Sequence, residues 1–343
     1  MDVSPDVAAK MSEPMMGHRS KEYAELHGSL TSGLKKLLFT QNPVFISATS
    51  STGWMEAAIT NCVGRNSLHI VNGAFSSRWY KISMACGRQA TKVDVEWGSA
   101  AKPADVEELV NSGGFDALFI THNETSTGAM TPLDGFGKLC HDNQMLLCVD
   151  AVSSAAGVKI ETDKLGIDVL VTGTQKCFAV APGLALTTVS QAALDRSKEM
   201  PGKGYYFDYH EYLKKDAKNN TPSTPPIPQI AALDYKVRKI LTEEGLENRF
   251  KRHKELADYT RKWGMEKWEL FTEDWCASNT VSCMKNTREY DLNDLKSKLS
   301  AAGYEFSNGY GDLKGKAFRV AHMGDRQMPD LKEYLEAIDS IVG

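Results

Sequence analysis

Short apolar runs alternate with amphipathic segments through the first part of the chain. The runs Val44 to Ala48, Leu68 to Val71, Lys92 to Val95, Ala117 to Thr121, Met145 to Asp150, Val169 to Thr172 and Leu184 to Val189 read as strands. Between them, Gly53 to Cys62, Ser76 to Cys86, Ala104 to Asn111 and Leu133 to His141 repeat their apolar residues at helical spacing. Strands fed by such helices build crossover units, so the pattern predicts an α/β fold with a mainly parallel seven-stranded sheet sandwiched by helices. The polar, proline-rich stretch Lys214 to Pro228 breaks the rhythm, and Asp234 to Trp268 then reads as one long helix with a kink. A smaller α+β unit follows from about Glu269 to Gly343. The expected organisation is an N-terminal segment 1–20, a large domain 21–245 and a small C-terminal domain 246–343, with a linking helix over about 230–268.

A chain of 343 residues can bury one large core and a second smaller one. Its 40 basic and 44 acidic residues are intermixed and leave a net charge of -4, which argues against a nucleic-acid partner. Seven cysteines, odd in number and without Cys-x-x-Cys spacing, suggest neither a disulfide framework nor a metal site. Gln175, Lys176 and Pro182-Gly183 interrupt the best membrane-span candidate, and Met-Asp-Val-Ser-Pro-Asp lacks a signal-peptide pattern. A cytoplasmic protein with no membrane partner is the expectation.

Candidate chemistry gathers at the strand ends. Lys176 lies in the nearly uncharged stretch Asp168 to Leu186, where an amine is costly unless used. Desolvation would lower its pKa and make it a better nucleophile toward carbonyls; the plain alternative is a lysine snorkelling from a strand end. Asp150 closes the apolar run Met-Leu-Leu-Cys-Val and needs a cationic partner. In a parallel sheet, ligands sit beyond the carboxyl ends of the strands. After the first strand comes Thr49-Ser-Ser-Thr-Gly-Trp54, either a Ser/Thr helix cap or a phosphate cradle. After the fourth comes His122-Asn-Glu-Thr-Ser-Thr-Gly128. A hydroxyl-rich turn, Thr-Ser-Thr-Gly, an aspartate and a lysine, in that order, are what a pyridoxal phosphate site demands.

On these residues the chain resembles a class V aminotransferase of the fold-type I pyridoxal phosphate enzymes, in the alanine:glyoxylate and serine:glyoxylate (serine:pyruvate) branch. The resemblance runs from Gly17-His-Arg-Ser-Lys-Glu-Tyr23 to Phe318-Arg-Val-Ala-His-Met-Gly-Asp325. It implies Lys176 as the Schiff-base lysine and proton-moving base, and Asp150 as partner of the pyridinium nitrogen. It further implies Val152 against the inner ring face, Phe75 over the outer face and Thr125 at the phenolic oxygen. Ser51, Thr52, Gly53 and Gln175 would hold the phosphate. Thr224, in Thr221-Pro-Ser-Thr-Pro-Pro-Ile-Pro228, would reach it from the neighbouring subunit of a homodimer. Arg319 would anchor the carboxylate shared by amino acids and 2-oxo acids, since arginine supplies the planar bidentate fork that lysine does not.

The activity implied is ping-pong transfer of an amino group from alanine or serine to glyoxylate or pyruvate. His18-Arg19 resembles the pair that grips a side-chain phosphate, which keeps phosphoserine or aspartate open as the donor. Desulfurase chemistry is disfavoured because Ala301 to Phe318 holds no cysteine. A second alternative is a non-catalytic partner subunit, since some relatives carry the label of a soluble-hydrogenase small subunit. The family's Pro-Gly-Pro loop is not seen ahead of Met1-Asp-Val-Ser-Pro, which implies a truncated chain or a more open pocket.

Overall fold

The computed structural model describes residues 2–343. In chain order the elements run α1 (Pro5–Lys10), α2 (Lys21–Leu37), β1 (Val44–Ser47), α3 (Ser51–Cys62), β2 (Asn66–Val71), α4 (Ala74–Ala85), β3 (Gln89–Asp94), α5 (Ala104–Asn111) and β4 (Ala117–Thr121). A two-residue hairpin, β5 (Asn123–Glu124) with β6 (Ala129–Met130), precedes α6 (Phe136–Asp142), β7 (Leu146–Asp150), β8 (Val169–Gly173), β9 (Ala185–Val189), α7 (Gln191–Lys198) and α8 (Tyr209–Asp216). The seven long strands form one sheet in the order β1-β9-β8-β7-β4-β2-β3. All run parallel except β9, which is antiparallel to both of its neighbours. The fold is therefore α/β with a mainly parallel sheet, as the alternation predicts.

The central strands are buried on both faces, which is why they read as unbroken apolar runs. Leu147 and Val149 of β7 join Leu118, Ile120 and Leu170 beneath Leu30, Leu34 and Leu233. Leu146 and Cys148 point the other way, into a cluster with Trp54, Trp79, Phe119, Val171 and Tyr209. Each such side chain contributes about 1.5–3 kcal/mol when fully buried, so the strand ends that carry the polar residues rest on a stiff platform.

Through the sheet region, element bounds shift by up to three residues from the sequence expectation, as where α6 begins at Phe136 rather than Leu133. Strand β3 begins at Gln89 rather than Lys92, because this edge strand is half exposed and its first residues carry no apolar signal. The expected long helix is two: α9 (Ile227–Lys239) ends in a π-turn over Ile240–Glu244, and α10 (Leu246–Lys267) restarts after Gly245. Gly245 adopts φ 77°, a left-handed conformation that glycine takes without penalty, and this is the physical form of the kink. Beyond α10 an antiparallel sheet of order β10-β11-β13-β12 is built from β10 (Glu269–Leu270), β11 (Val281–Lys285), β12 (Ser307–Asn308) and β13 (Ala317–Ala321). It is covered by α11 (Leu292–Ala301) and α12 (Met328–Val342) around Trp263, Trp268, Phe318, Leu335 and Ile338. The antiparallel sheet approaches the β5–β6 hairpin at Gly128, where a Cβ would lie 3.0 Å from the Cys283 backbone nitrogen. No helix among the described residues is long and apolar enough to cross a membrane.

Candidate active site

Strand register brings Thr121, Asp150 and Val171 side by side at the carboxyl edge of the sheet. Asp150 is only 4% exposed, and its Oδ1 accepts the Val152 N–H at 2.9 Å. Burial pushes its pKa up to about 7, and the nearby Glu124 adds to this; the Val152 N–H and the charges of Lys176 and Arg78 oppose it. This is a carboxyl group in need of a cation. Lys176 follows β8 in a turn closed by the Ala179 N–H bonding to its carbonyl at 2.9 Å. Its half-buried amine makes no hydrogen bond or ion pair among the described residues. Burial, then the Arg319 guanidinium, holds its pKa below the ordinary lysine value, although Asp150 pulls the other way. Desolvation dominates, so the amine is a better nucleophile than a surface lysine.

The amino end of α3 adjoins the end of β8 that leads into Lys176. No side chain caps this helix, and the buried Ser51 Oγ has no hydrogen-bond partner. A Cβ built on Gly173 would lie 2.4 Å from Ser51 Oγ and 2.9 Å from Gln175 Oε1, so the glycine keeps open a hollow that both polar side chains face. Thr52 and Gly53 complete the first turn of the helix. An uncapped helix start with an orphan hydroxyl fits a phosphate group.

Phe75, at the start of α4, is half-buried and stacks on Tyr310 with ring centroids 5.2 Å apart. Arg78 lies over its ring at 4.9 Å and donates to Tyr310 Oη at 3.0 Å. Thr125 donates its hydroxyl to Ser153 Oγ at 2.8 Å, while its carbonyl accepts from Arg319 Nη1 at 3.4 Å. Arg319 also donates to the Asn308 carbonyl, from Nη2 at 3.0 Å and Nε at 3.3 Å. These contacts are neutral and mostly long, so the guanidinium has no carboxylate partner among the described residues. Val152 lies half-buried beside Asp150.

Thr224, His18 and Arg19 lie elsewhere. Thr224 is exposed in the proline-rich segment and borders a small pocket with Ser47, Ala48 and Leu184. The His18 carbonyl accepts from Asn220 Nδ2 at 3.3 Å, which places the His18-Arg19 pair against the same segment. Within one chain no hydrogen bond or ion pair joins these three residues to Lys176, Asp150 or Arg319 among the described residues.

Sequence reasoning missed Glu124, whose fully buried carboxylate caps α4 by accepting from the Phe75 and Ser76 backbone N–H groups and the Ser76 and Ser126 hydroxyls. In the sequence it stands beside the assigned Thr125 with nothing to mark it as buried. Tyr310 and Arg78 carried no signal, because only the meeting of the two domains gives them a role.

The aminotransferase class-V family model matches residues 9–310. An uncharacterized aminotransferase of Methanocaldococcus jannaschii is 39% identical over 94% of this chain and 85% of its own. A soluble hydrogenase small subunit of Synechococcus sp. is 32% identical over 99% of this chain and 91% of its own. Among solved structures, an alanine–glyoxylate aminotransferase from Nostoc sp. superposes with a TM-score of 0.94 at 26% identity, covering 100% of this chain and 93% of that one. The chain belongs to the class V aminotransferases, the pyridoxal phosphate transaminases of fold-type I.

Proposed function

We propose that this protein transfers an amino group from a small amino acid, alanine or serine, to glyoxylate or pyruvate. The observation that carries the reading is the convergence of an unpaired, half-buried amine, Lys176, with a buried carboxyl that has no ion pair, Asp150, and a guanidinium without a carboxylate, Arg319. Pyridoxal phosphate, when bound, supplies the electron sink that makes a substrate α-proton removable. The residues present fit it. Ser51, Thr52, Gly53 and Gln175 offer the orphan hydroxyl and open helix start that a phosphate needs. Asp150 would hold a ring nitrogen protonated, and Phe75, Val152 and Thr125 would orient the ring.

Arg319 would take the substrate carboxylate through two parallel N–H groups and orient the α-hydrogen toward Lys176. Lys176, kept less basic by burial, takes that proton and returns it, acting as the general base. The amino donor leaves as an oxo acid before the second oxo acid enters. The glyoxylate acceptor is supported by the name of the Nostoc relative. Thr224 and the His18-Arg19 pair would act in a C2 homodimer, where they would reach the partner's site; the exposure of Thr224 and Arg19 and the lack of a hydrogen bond from either to Lys176, Asp150 or Arg319 of the same chain support this.

One spectrum tests the reading. Adding L-alanine or L-serine to the holoprotein should move the cofactor's visible absorption to that of its amino form. No conversion with these, L-aspartate or O-phospho-L-serine would overturn the enzyme reading, and conversion by the last two alone would move the donor to the aspartate or phosphoserine class. Lys176→Ala should abolish turnover; retained activity would remove the lysine from the mechanism. No feature of the site favours a non-catalytic partner subunit.

A further inference from the structure

Arg249, in the first turn of α10, is 0% exposed, a rare setting for a guanidinium unless its donors are used. Its Nε donates to the Ala156 carbonyl at 2.7 Å, and its Nη2 to the Cys177 carbonyl at 2.5 Å. Ala156 lies in the loop that follows Asp150, and Cys177 is the residue after Lys176. One side chain thus clamps the two loops that carry the site's carboxyl and its amine. Its Nη1 turns the other way, to Glu244 Oε2 at 2.6 Å and Asp325 Oδ1 at 3.4 Å. Glu244 ends the π-turn between the two linking helices, and Asp325 lies in the loop after β13, the strand of Arg319. His253, one turn along α10, fastens the same loop: its Nε2 accepts the Gly324 N–H at 3.0 Å and its Nδ1 donates to the Arg249 carbonyl at 2.8 Å. Burial keeps this imidazole neutral, as one donor and one acceptor require.

We propose that Arg249 is a positioning residue for the Lys176 amine, and that Glu244 and Asp325 tie the lysine turn through it to the domain hinge and to the strand of Arg319. The two carbonyls and two carboxylates need a planar cation with several divergent N–H groups. A lysine keeps the charge but cannot serve both carbonyls. If the clamp fails, the turn loosens, the amine gains water and its proton affinity rises toward that of an ordinary lysine.

The inference rests on Lys176 being the reacting amine, so the first readout is taken without cofactor. Competitive acetylation of the apoprotein across pH, with quantification of the peptide carrying Lys176, titrates that amine alone. In Arg249→Lys the Lys176 titration should move up by about half a pH unit or more, while the exposed Lys21 titrates as in the wild type. In the holoprotein kcat for the donor should fall about tenfold or more with KM changing less than about threefold, and the pH–rate profile should be displaced. Superimposable Lys176 titrations and pH–rate profiles would overturn the proposal. Should Arg249→Lys not fold, Arg249→Gln decides: it keeps an N–H donor but cannot span both carbonyls, and a raised Lys176 titration supports the clamp while an unchanged one overturns it. A displaced titration in a protein that converts no amino donor would leave the clamp standing and reject the aminotransferase reading instead.

Discussion

With no ion pair to offset its burial, the Asp150 carboxyl is pushed up to about 7, against 3.8 for the unburied group. An acid whose folded pKa lies above its unfolded value binds its proton more tightly in the folded state. Folding stability therefore falls as pH rises from about 4 to about 7, and the cost is complete above that window. Each tenfold change in proton affinity is worth about 1.4 kcal/mol. Asp150→Asn removes the ionisation with little change in shape, so the cofactor-free variant should melt higher than the wild type at pH 8, with the gap closing toward pH 5. A gap that does not vary with pH would mean that Asp150 does not titrate as described. Turnover should move oppositely. Losing one member of a buried charge pair costs about 3–5 kcal/mol, a rate loss of about 10²- to 10⁴-fold if it falls wholly on the transition state. A loss below about tenfold would show that Asp150 does not support the ring. Lys176 carries a related strain, since its burial disfavours the protonated amine that its base role must form and release.

At the scale of elements, the end of β8 and the start of α3 are kept apart by one missing side chain. Gly173→Ala would place a methyl group against Ser51 Oγ and Gln175 Oε1, filling the hollow without straining the backbone, whose extended strand conformation suits alanine. Ser51 Oγ must swing aside, and equilibrium dialysis should show cofactor affinity weakened by about tenfold or more, roughly the loss of one charge-assisted hydrogen bond. Unchanged affinity would place the phosphate elsewhere. Such strand ends were legible in the sequence because a buried parallel strand must be apolar throughout, so Asp150 and Lys176 stood out against their surroundings. The edge strand β3 was read short for the converse reason: half exposed, its polar start matches a loop. Glu124 and Arg249 were not legible, because a buried charge satisfied by backbone groups looks in sequence like any surface charge. Only tertiary contact distinguishes Arg249 from the exposed Lys251 or Lys254 on the same helix. The break at Gly245 shows in the sequence as a glycine within a helical pattern, but the π-turn before it has no sequence mark of its own.

For the whole molecule, the decisive question is whether one chain contains a complete site. The segment that carries Thr224 also holds the His18 carbonyl through Asn220, and Thr224 is exposed with no hydrogen bond to Lys176 of its own chain. In a C2 dimer, whatever one protomer lends its partner it also receives, so the two sites are equivalent and each is built from two chains. This gives a complementation test with a definite stoichiometry. Thr224→Asp sets a negative charge where a phosphate would be received, and Lys176→Ala removes the amine; each variant alone should be nearly inactive. In a mixed dimer of the two, one site combines both defects, while the other draws Lys176 from one chain and Thr224 from its partner and is native. Random reassociation of equal amounts makes half the dimers mixed, each with one working site of two, so activity should recover to about a quarter of wild type. Recovery should follow the rate of subunit exchange and fail when the parents are mixed without dissociation. If the co-refolded mixture shows no more than the sum of its parents, the Thr224 segment serves its own chain and the shared-site dimer is wrong.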